Sequence, residues 1–358
     1  MEEPGLVKSW SSRISLDKSL PSSAASCCSN HSWNRSRTIY LCGFNLWNFY
    51  KGVFDDFNYG GRLTDVTIST SSKKDVLLYV GLDGPCDISQ KKIQQNFNGK
   101  VLFVNTEPRK GDAAEKQRLS DRFYKIGPTE DPSEERTLPV YFGSIFWYAI
   151  TTPEQRTMFW ESLEERQSRI HGESALERRN AVAFLVSNCV SFRREAAARI
   201  SDLVEVHHGP KCRPLSNHTR RIPDVTGRDY YMENYKVYSK YKYCLVMENT
   251  ETSGYITEKI VLAYLGGCIP IYWGTKEVWN VFHPSSFIYY DSHAPEAALS
   301  ELELLLQPNN TAWGIKRSIP ILAYGLETLQ RYFSLDDSIG GGRLKRDIRN
   351  MMGIDVDD

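Results

Sequence analysis

Four polar residues sit where an apolar run gives way to a helical pattern. Asn249, Tyr255, Glu258 and Lys259 follow Tyr243–Met247 and precede Ile260, Val261, Ala263, Tyr264 and Leu265. A helix start in this position presents N–H groups and the positive end of the helix dipole, which favours an anion. Lys259 would contact a phosphate there, Glu258 would accept from ribose hydroxyls, and Asn249 would read a polar edge. Together they outline a site for a nucleotide diphosphate. Neither GxGxxG nor GxxxxGK[ST] occurs, so dinucleotide and P-loop chemistry are not indicated. A further carboxylate, Glu107, follows the strand-like run Lys100–Asn105 and precedes Pro108. It stands where a general base would stand, just past the carboxyl end of a strand. A solvated loop glutamate is the commoner meaning of such a residue taken alone.

The elements that must hold these groups are legible around them. Residues Tyr243–Asp291 read as a strand–loop–helix–strand–helix–strand run. Tyr243–Met247 is rich in strand formers, and Glu248–Gly254 is a polar loop. Thr257-Glu258 opens the helix and Gly266-Gly267 stops it. Cys268–Trp273 is the next strand, ended by Gly274. Strands alternating with helices of this length imply a parallel sheet whose ligands lie beyond the carboxyl ends of the strands.

This stretch closely resembles the signature of the α-1,3/α-1,4-fucosyltransferases, glycosyltransferase family 10. The matching residues are Glu248-Asn249, Tyr255-Ile256-Thr257-Glu258-Lys259 and Ile269-Pro270-Ile271-Tyr272-Trp273-Gly274. The resemblance spans about residues 98–300. It implies an α/β fold of GT-B type, two Rossmann-like domains facing a cleft. It also implies inverting transfer of L-fucose from GDP-β-L-fucose to a GlcNAc hydroxyl of a glycan, α-1,3 the favoured linkage, by single displacement. In the family a Glu after an aromatic-rich strand of the first domain acts as base, and Leu102–Pro108 fits that pattern at Glu107. The family also carries an arginine several residues after Ser-Asn that contacts the diphosphate. Ser187-Asn188 supplies the dipeptide, Arg194 is the best match by spacing, and Arg193 is the neighbour able to substitute. A guanidinium suits this task because it donates in a planar fork to phosphate oxygens. Donor binding is therefore assigned to Arg194, Asn249, Tyr255, Glu258 and Lys259. With two cations on the diphosphate no cofactor is required, and a divalent metal is at most stimulatory. One departure is His208-Gly209-Pro210-Lys211, where the family has Tyr-Gly-[Arg/Lys]. The alternatives are a GT-B transferase of another nucleotide sugar, or a catalytically dead carbohydrate-binding relative.

The bulk properties agree with an enzyme domain. The 358 residues balance 44 basic against 44 acidic side chains, which excludes a basic nucleic-acid binder and an acidic tail protein. No apolar run of transmembrane length and no signal-peptide core is visible. The resemblance implies a type II protein of the Golgi lumen, so the expectation is a chain truncated before its anchor, acting on glycans of glycoproteins or glycolipids. Sequons at Asn30, Asn34, Asn217 and Asn309 are compatible with a secretory lumen. The eight cysteines show no CxxC spacing, which argues against zinc. Cys244 and Cys268 fall in expected core strands and read as buried free thiols. His207-His208 lacks a third ligand at usable spacing.

Residues 1–36 read as a Ser-rich tail, 37–172 as the acceptor-side domain, 173–318 as the GDP-fucose domain, and 319–358 as helices returning toward the first domain. Within the first domain, strands are expected at Thr38–Phe44, Asp65–Ser69, Asp75–Val80 and Lys100–Asn105, a helix at Ile88–Phe97, and a surface loop at Asp121–Thr137. Leu138–Ile150 is aromatic, bordering the acceptor or packed inside. Beyond it, strands are expected at Asn180–Ser187 and Val204–His208, and helices at Phe192–Leu203, Tyr231–Tyr241, Ala294–Leu306 and Leu326–Phe333.

Overall fold

A computed structural model describes the backbone of six strands between residues 37 and 138, Pro128, and residues 178–328 apart from 215, 224–233, 309–310 and 326. The tail, the Ile88–Phe97 helix, Glu107, residues 139–177 and residues 329–358 lie outside the described residues.

The first sheet contains β1 (Arg37–Leu41), β2 (Val66–Ser69), β3 (Val76–Leu82), β4 (Lys100–Val104), β5 (Phe123–Ile126) and β6 (Thr137–Leu138). Its order is β2-β1-β3-β4-β5-β6, with every pair parallel. The expected strands are present with ends shifted by a few residues. The loop expected over Asp121–Thr137 is corrected: Phe123–Ile126 is a strand between β4 and β6. Four residues, one of them Lys125, are too few to show a period among charged neighbours, but pairing on both sides satisfies their backbone.

The second sheet is built from β7 (Arg179–Phe184), α1 (Ser191–Ser201), β8 (Val206–His208), β9 (Thr219–Arg221), α2 (Asn234–Tyr238), β10 (Tyr241–Met247), α3 (Glu258–Gly266), β11 (Ile269–Trp273), α4 (Val278–Val281), a 3₁₀ turn at Pro284–Ser286, β12 (Ile288–Tyr289), α5 (Glu296–Leu306) and α6 (Ala312–Ser318). Its order is β12-β11-β10-β7-β8-β9, again parallel throughout. The chain walks outward from β7 to β9, then returns to place β10 on the other side of β7. That reversal is the switch point at which doubly wound sheets bind their ligands.

Register decides which side chains meet. Tyr243 pairs with Ile269 and Val182, so Val182, Phe184, Tyr243, Leu245, Ile269 and Ile271 share one face. They form a core with Ala196, Ala197 and Ile200 of α1 and Ala298, Leu302 and Leu305 of α5. Both faces are covered, which is why β7, β10 and β11 read as near-continuous apolar runs. Helix α3 packs on β10 and β11 with every residue buried except Lys259, the pattern of an inner helix. It ends at Gly267, whose φ of 72° places it in the left-handed region. A Cβ there would lie 2.8 Å from the Arg178 guanidinium, a flexible side-chain end, so it is the left-handed φ that calls for glycine.

The reading of Cys244 and Cys268 as free thiols is also corrected: they form a disulfide, Cα atoms 6.0 Å apart. Both do lie in the core. Cys268 immediately precedes β11 and falls diagonally opposite Cys244 on the same face of the β10–β11 ladder, a neighbourhood set by register. A second disulfide joins Cys189, just before α1, to Cys212 after β8, with Cα atoms 5.1 Å apart. Among the described residues no helix is long and apolar enough to cross a membrane.

Candidate active site

The first turn of α1 and the loop from β10 to α3 meet at the switch point. Arg193 is buried, and its guanidinium ties the ends of β7 and β10 together. It donates to the Asn188 carbonyl at 2.8 Å, the Met247 carbonyl at 2.5 Å and Asn249 Oδ1 at 2.9 Å. A buried guanidinium is tolerated because oxygens replace its water. Asn249 passes the chain on, donating from Nδ2 to the hydroxyl of buried Tyr255 at 3.2 Å.

The other half of the cluster is ionic. Glu248 has no exposed surface. Its Oε1 accepts from Thr257 N at 2.8 Å, and its Oε2 accepts from Thr257 Oγ1 at 2.7 Å and from Lys259 Nζ at 3.2 Å. Lys259 Nζ also donates to Thr257 Oγ1 at 2.8 Å and lies 3.5 Å from Glu258 Oε1. Burial works against the Lys259 ammonium, but the carboxylates of Glu248 and Glu258 outweigh it and hold its pKa above the ordinary lysine value. Thr257 stands at the N-cap of α3, yet its hydroxyl is turned to Glu248 and makes no capping bond.

The loop between Glu248 and Thr257 is gripped elsewhere too. Glu277, ahead of α4, accepts from Ser253 Oγ and from Gly254 N, the latter at 2.7 Å. Gly254 itself adopts φ 76°. Phe192 packs on Trp273 with ring centroids 4.4 Å apart, closing the β11 side. Beyond Trp273, a Cβ on Gly274 would press into the Tyr272 hydroxyl and lie 2.9 Å from Glu248 Cγ. Glycine is therefore the residue type that lets Glu248 and Tyr272 pack side by side here. The result is a preformed, polar helix-start cradle whose cation is held in place by carboxylates.

Asn249, Tyr255, Glu258 and Lys259 are thus brought together as a group. Arg194 is set apart from them: it is partly exposed, and its Nε donates to the Arg213 carbonyl at 3.1 Å. Glu107 lies outside the described residues. Sequence reasoning gave no role to Glu248, Thr257 or Glu277, and took Arg193 only as a substitute for Arg194. A signal for Arg193 exists, since it shares the i, i+3, i+4, i+7 stripe with Ala196, Ala197 and Ile200, the buried face of α1. His207 and His208 are used internally. His207 bonds the Tyr241 hydroxyl at 3.0 Å and Glu205 at 2.8 Å, and His208 bonds the Gly209 carbonyl at 2.8 Å.

Sheet order and cradle define the class: a doubly wound α/β domain with a polar, cationic cradle at its switch point. Residues 175–314 match the family described as glycosyltransferase family 10 (fucosyltransferase) C-term. The chain is 25% identical over 242 residues to alpha-(1,3)-fucosyltransferase B of Drosophila melanogaster, covering 62% of this chain and 53% of that protein. It is 52% identical over 50 residues to alpha-(1,3)-fucosyltransferase FucT of Helicobacter pylori, 14% of this chain and 10% of that protein. It is 30% identical over 111 residues to alpha-(1,4)-fucosyltransferase of Arabidopsis thaliana, 28% of each. The chain thus spans from a tenth to about half the length of these relatives. In fold it is similar to a crystal structure of alpha1,3-fucosyltransferase with GDP-fucose, with TM-score 0.55 and 18% identity over 93% of this chain and 95% of that one.

Proposed function

We propose that the protein is a fucosyltransferase that moves L-fucose from GDP-β-L-fucose to a GlcNAc hydroxyl of a glycan in α-1,3 linkage. The observation that carries this reading is the cradle at the switch point, where Arg193, Asn249, Tyr255, Glu248 and Lys259 interlock at the start of α3 within the stretch that matches the family 10 C-terminal domain. In this reading Lys259 of the cradle and Arg194, which stands outside it, neutralise the charge growing on the departing GDP. Each such contact contributes about 1.5–3 kcal/mol. Glu258 accepts from ribose hydroxyls, while Asn249 and Tyr255 place the nucleotide. Glu107 takes the proton from the acceptor hydroxyl as it attacks the anomeric carbon, and inversion follows from the single displacement. Two cations on the diphosphate make a metal cofactor dispensable. Its place is the Golgi lumen, as a type II membrane protein, and the paired cysteines suit such an oxidising compartment.

The test is GDP release by the protein supplied with GDP-fucose, GDP-mannose or UDP-galactose, with and without a lactosamine acceptor and with and without chelator. Release that needs GDP-fucose and acceptor together, and survives chelation, is the expected result. Release with another donor transfers the reading to that sugar. Tight GDP binding without turnover would make this a carbohydrate-binding relative.

A further inference from the structure

We infer that Glu248, bridged by Thr257, is the positioning residue that holds Lys259 at the diphosphate. The inference rests on the preceding reading, in which Lys259 meets that diphosphate. It concerns a residue that touches no substrate and acts through the lysine.

Glu248 is the first residue after β10, and its own N–H donates to the Trp273 carbonyl at 2.9 Å, continuing the β10–β11 ladder. Its backbone is thereby fixed by the sheet, and its carboxylate is fully buried. Such a group is costly unless compensated, and among the described residues its compensation comes from the start of α3. Two contacts go to Thr257 and the third to Lys259. An ammonium has three donors. In this structure Lys259 aims at Glu248, Thr257 and, at the longest separation of 3.5 Å, Glu258. The partners are unequal. Glu248 and Thr257 are rooted in the sheet end and the N-cap, whereas Glu258 is the member read as turning to ribose. An arriving diphosphate therefore replaces Glu258 on the ammonium, while Glu248 and Thr257 keep the nitrogen where it stands. Gly274 belongs to the device, since any larger residue would push on Glu248 Cγ.

Glu248→Gln separates this role from general support of the loop. The Gln oxygen can still accept from Thr257 N, and its NH₂ can donate to Thr257 Oγ1, so the loop bond survives. The NH₂ cannot accept from Lys259, so that contact alone is lost. GDP affinity, measured by calorimetry, is expected to fall about tenfold or more in Glu248→Gln. The double variant with Lys259→Ala is expected to bind no more weakly than Lys259→Ala alone, because both act through the same nitrogen. Glu248→Asp, which keeps the charge, should recover part of the loss. Additive losses in the double variant, or undiminished affinity in Glu248→Gln, would overturn the inference.

A second readout does not depend on GDP: the rate at which an acylating reagent modifies Lys259 in the folded protein, followed by peptide mass spectrometry. It should rise in Glu248→Gln, and an unchanged rate would overturn the inference. Should the wild type bind no GDP, the donor reading fails, and this rate alone decides whether Glu248 holds the lysine. If Glu248→Gln does not fold, Thr257→Val removes the bridging oxygen with the carboxylate in place, and the same two readouts apply.

Discussion

Both sheets are parallel throughout, yet they reverse direction at different places. In the first, the chain passes from β1 out to β2 and returns on the other side as β3, so the reversal lies between β1 and β3. Glu107 follows β4, one strand beyond that point. In the second, the reversal lies between β7 and β10, and Arg193 of α1 bonds groups that follow β7 and end β10 across it. Under the proposed function the two sheets divide the labour. The second sheet builds a binding cradle out of many fixed groups, which a switch point favours because two loops diverge there. The first, in that proposal, supplies the reactive carboxylate, Glu107.

The division is broken most severely at Glu107. Glu107→Gln is expected to lower turnover about 10²–10⁴-fold while GDP affinity stays at the wild-type value. Undiminished turnover would remove Glu107 as base, and a matching loss of GDP affinity would erase the division itself.

The second sheet contains a finer contrast of its own, in two adjacent arginines. Arg193→Ala strips the donor from two backbone carbonyls and Asn249, which should cost about 1–3 kcal/mol of stability together with GDP affinity. Arg194→Ala should leave the denaturation midpoint unchanged and weaken GDP binding about tenfold. Equal behaviour of the two variants in both assays would show that the buried and the exposed guanidinium do not have separate tasks.

Gly274→Ala comes next, with a loss in stability alone. Its Cβ would press on the Tyr272 hydroxyl and on Glu248, so urea denaturation should show a loss of about 1–3 kcal/mol. Wild-type stability there would mean that the strand end yields, contrary to the rigidity of the cradle.

The smallest effect lies at the far side of the same sheet. The hydrogen bond from His207, outweighing the upward push of burial, leaves Glu205 below the usual carboxylate pKa, with Arg220 helping. A lowered carboxylate pKa gives stability that is fully present above the unfolded value and lost as pH falls through the folded one. Glu205→Gln should therefore cost no more than about 1 kcal/mol at neutral pH, since the pair is partly solvated. That cost should shrink as the pH falls below the carboxylate range. A cost that persists in acid would mean that packing, rather than charge, is what the pair contributes.

The stretch from Tyr243 to Asp291 was legible because each of its elements is declared locally. β10 and β11 are short apolar runs, α3 is an inner helix, and a glycine that can take φ 72° stops it. The donor-side group Asn249, Tyr255, Glu258 and Lys259 was legible for the same reason, since the short span between a strand and a helix start keeps its residues near one another. Helix α1 was placed from its pattern within about two residues at either end.

What the tertiary structure decided are the relations between segments far apart in the chain. The Cys244–Cys268 bond depends on how β11, which Cys268 immediately precedes, is registered against β10, and parallel strands joined through a helix carry no local mark of register. β5 exists because β4 and β6 flank it, not because Phe123–Ile126 insists on being a strand. Which of Arg193 and Arg194 is buried turned on the rotation of α1 about its axis. That rotation is set by Ala196, Ala197 and Ile200 seating on the sheet, and it carries one guanidinium inward to Met247 and Asn249 and the other out to Arg213. Glu248 is the plainest case. In sequence it is a charged residue at a strand end. Only the packing of α3 across β10 and β11 makes it the buried partner of Lys259, because electrostatic contacts depend on distances that local patterning does not contain.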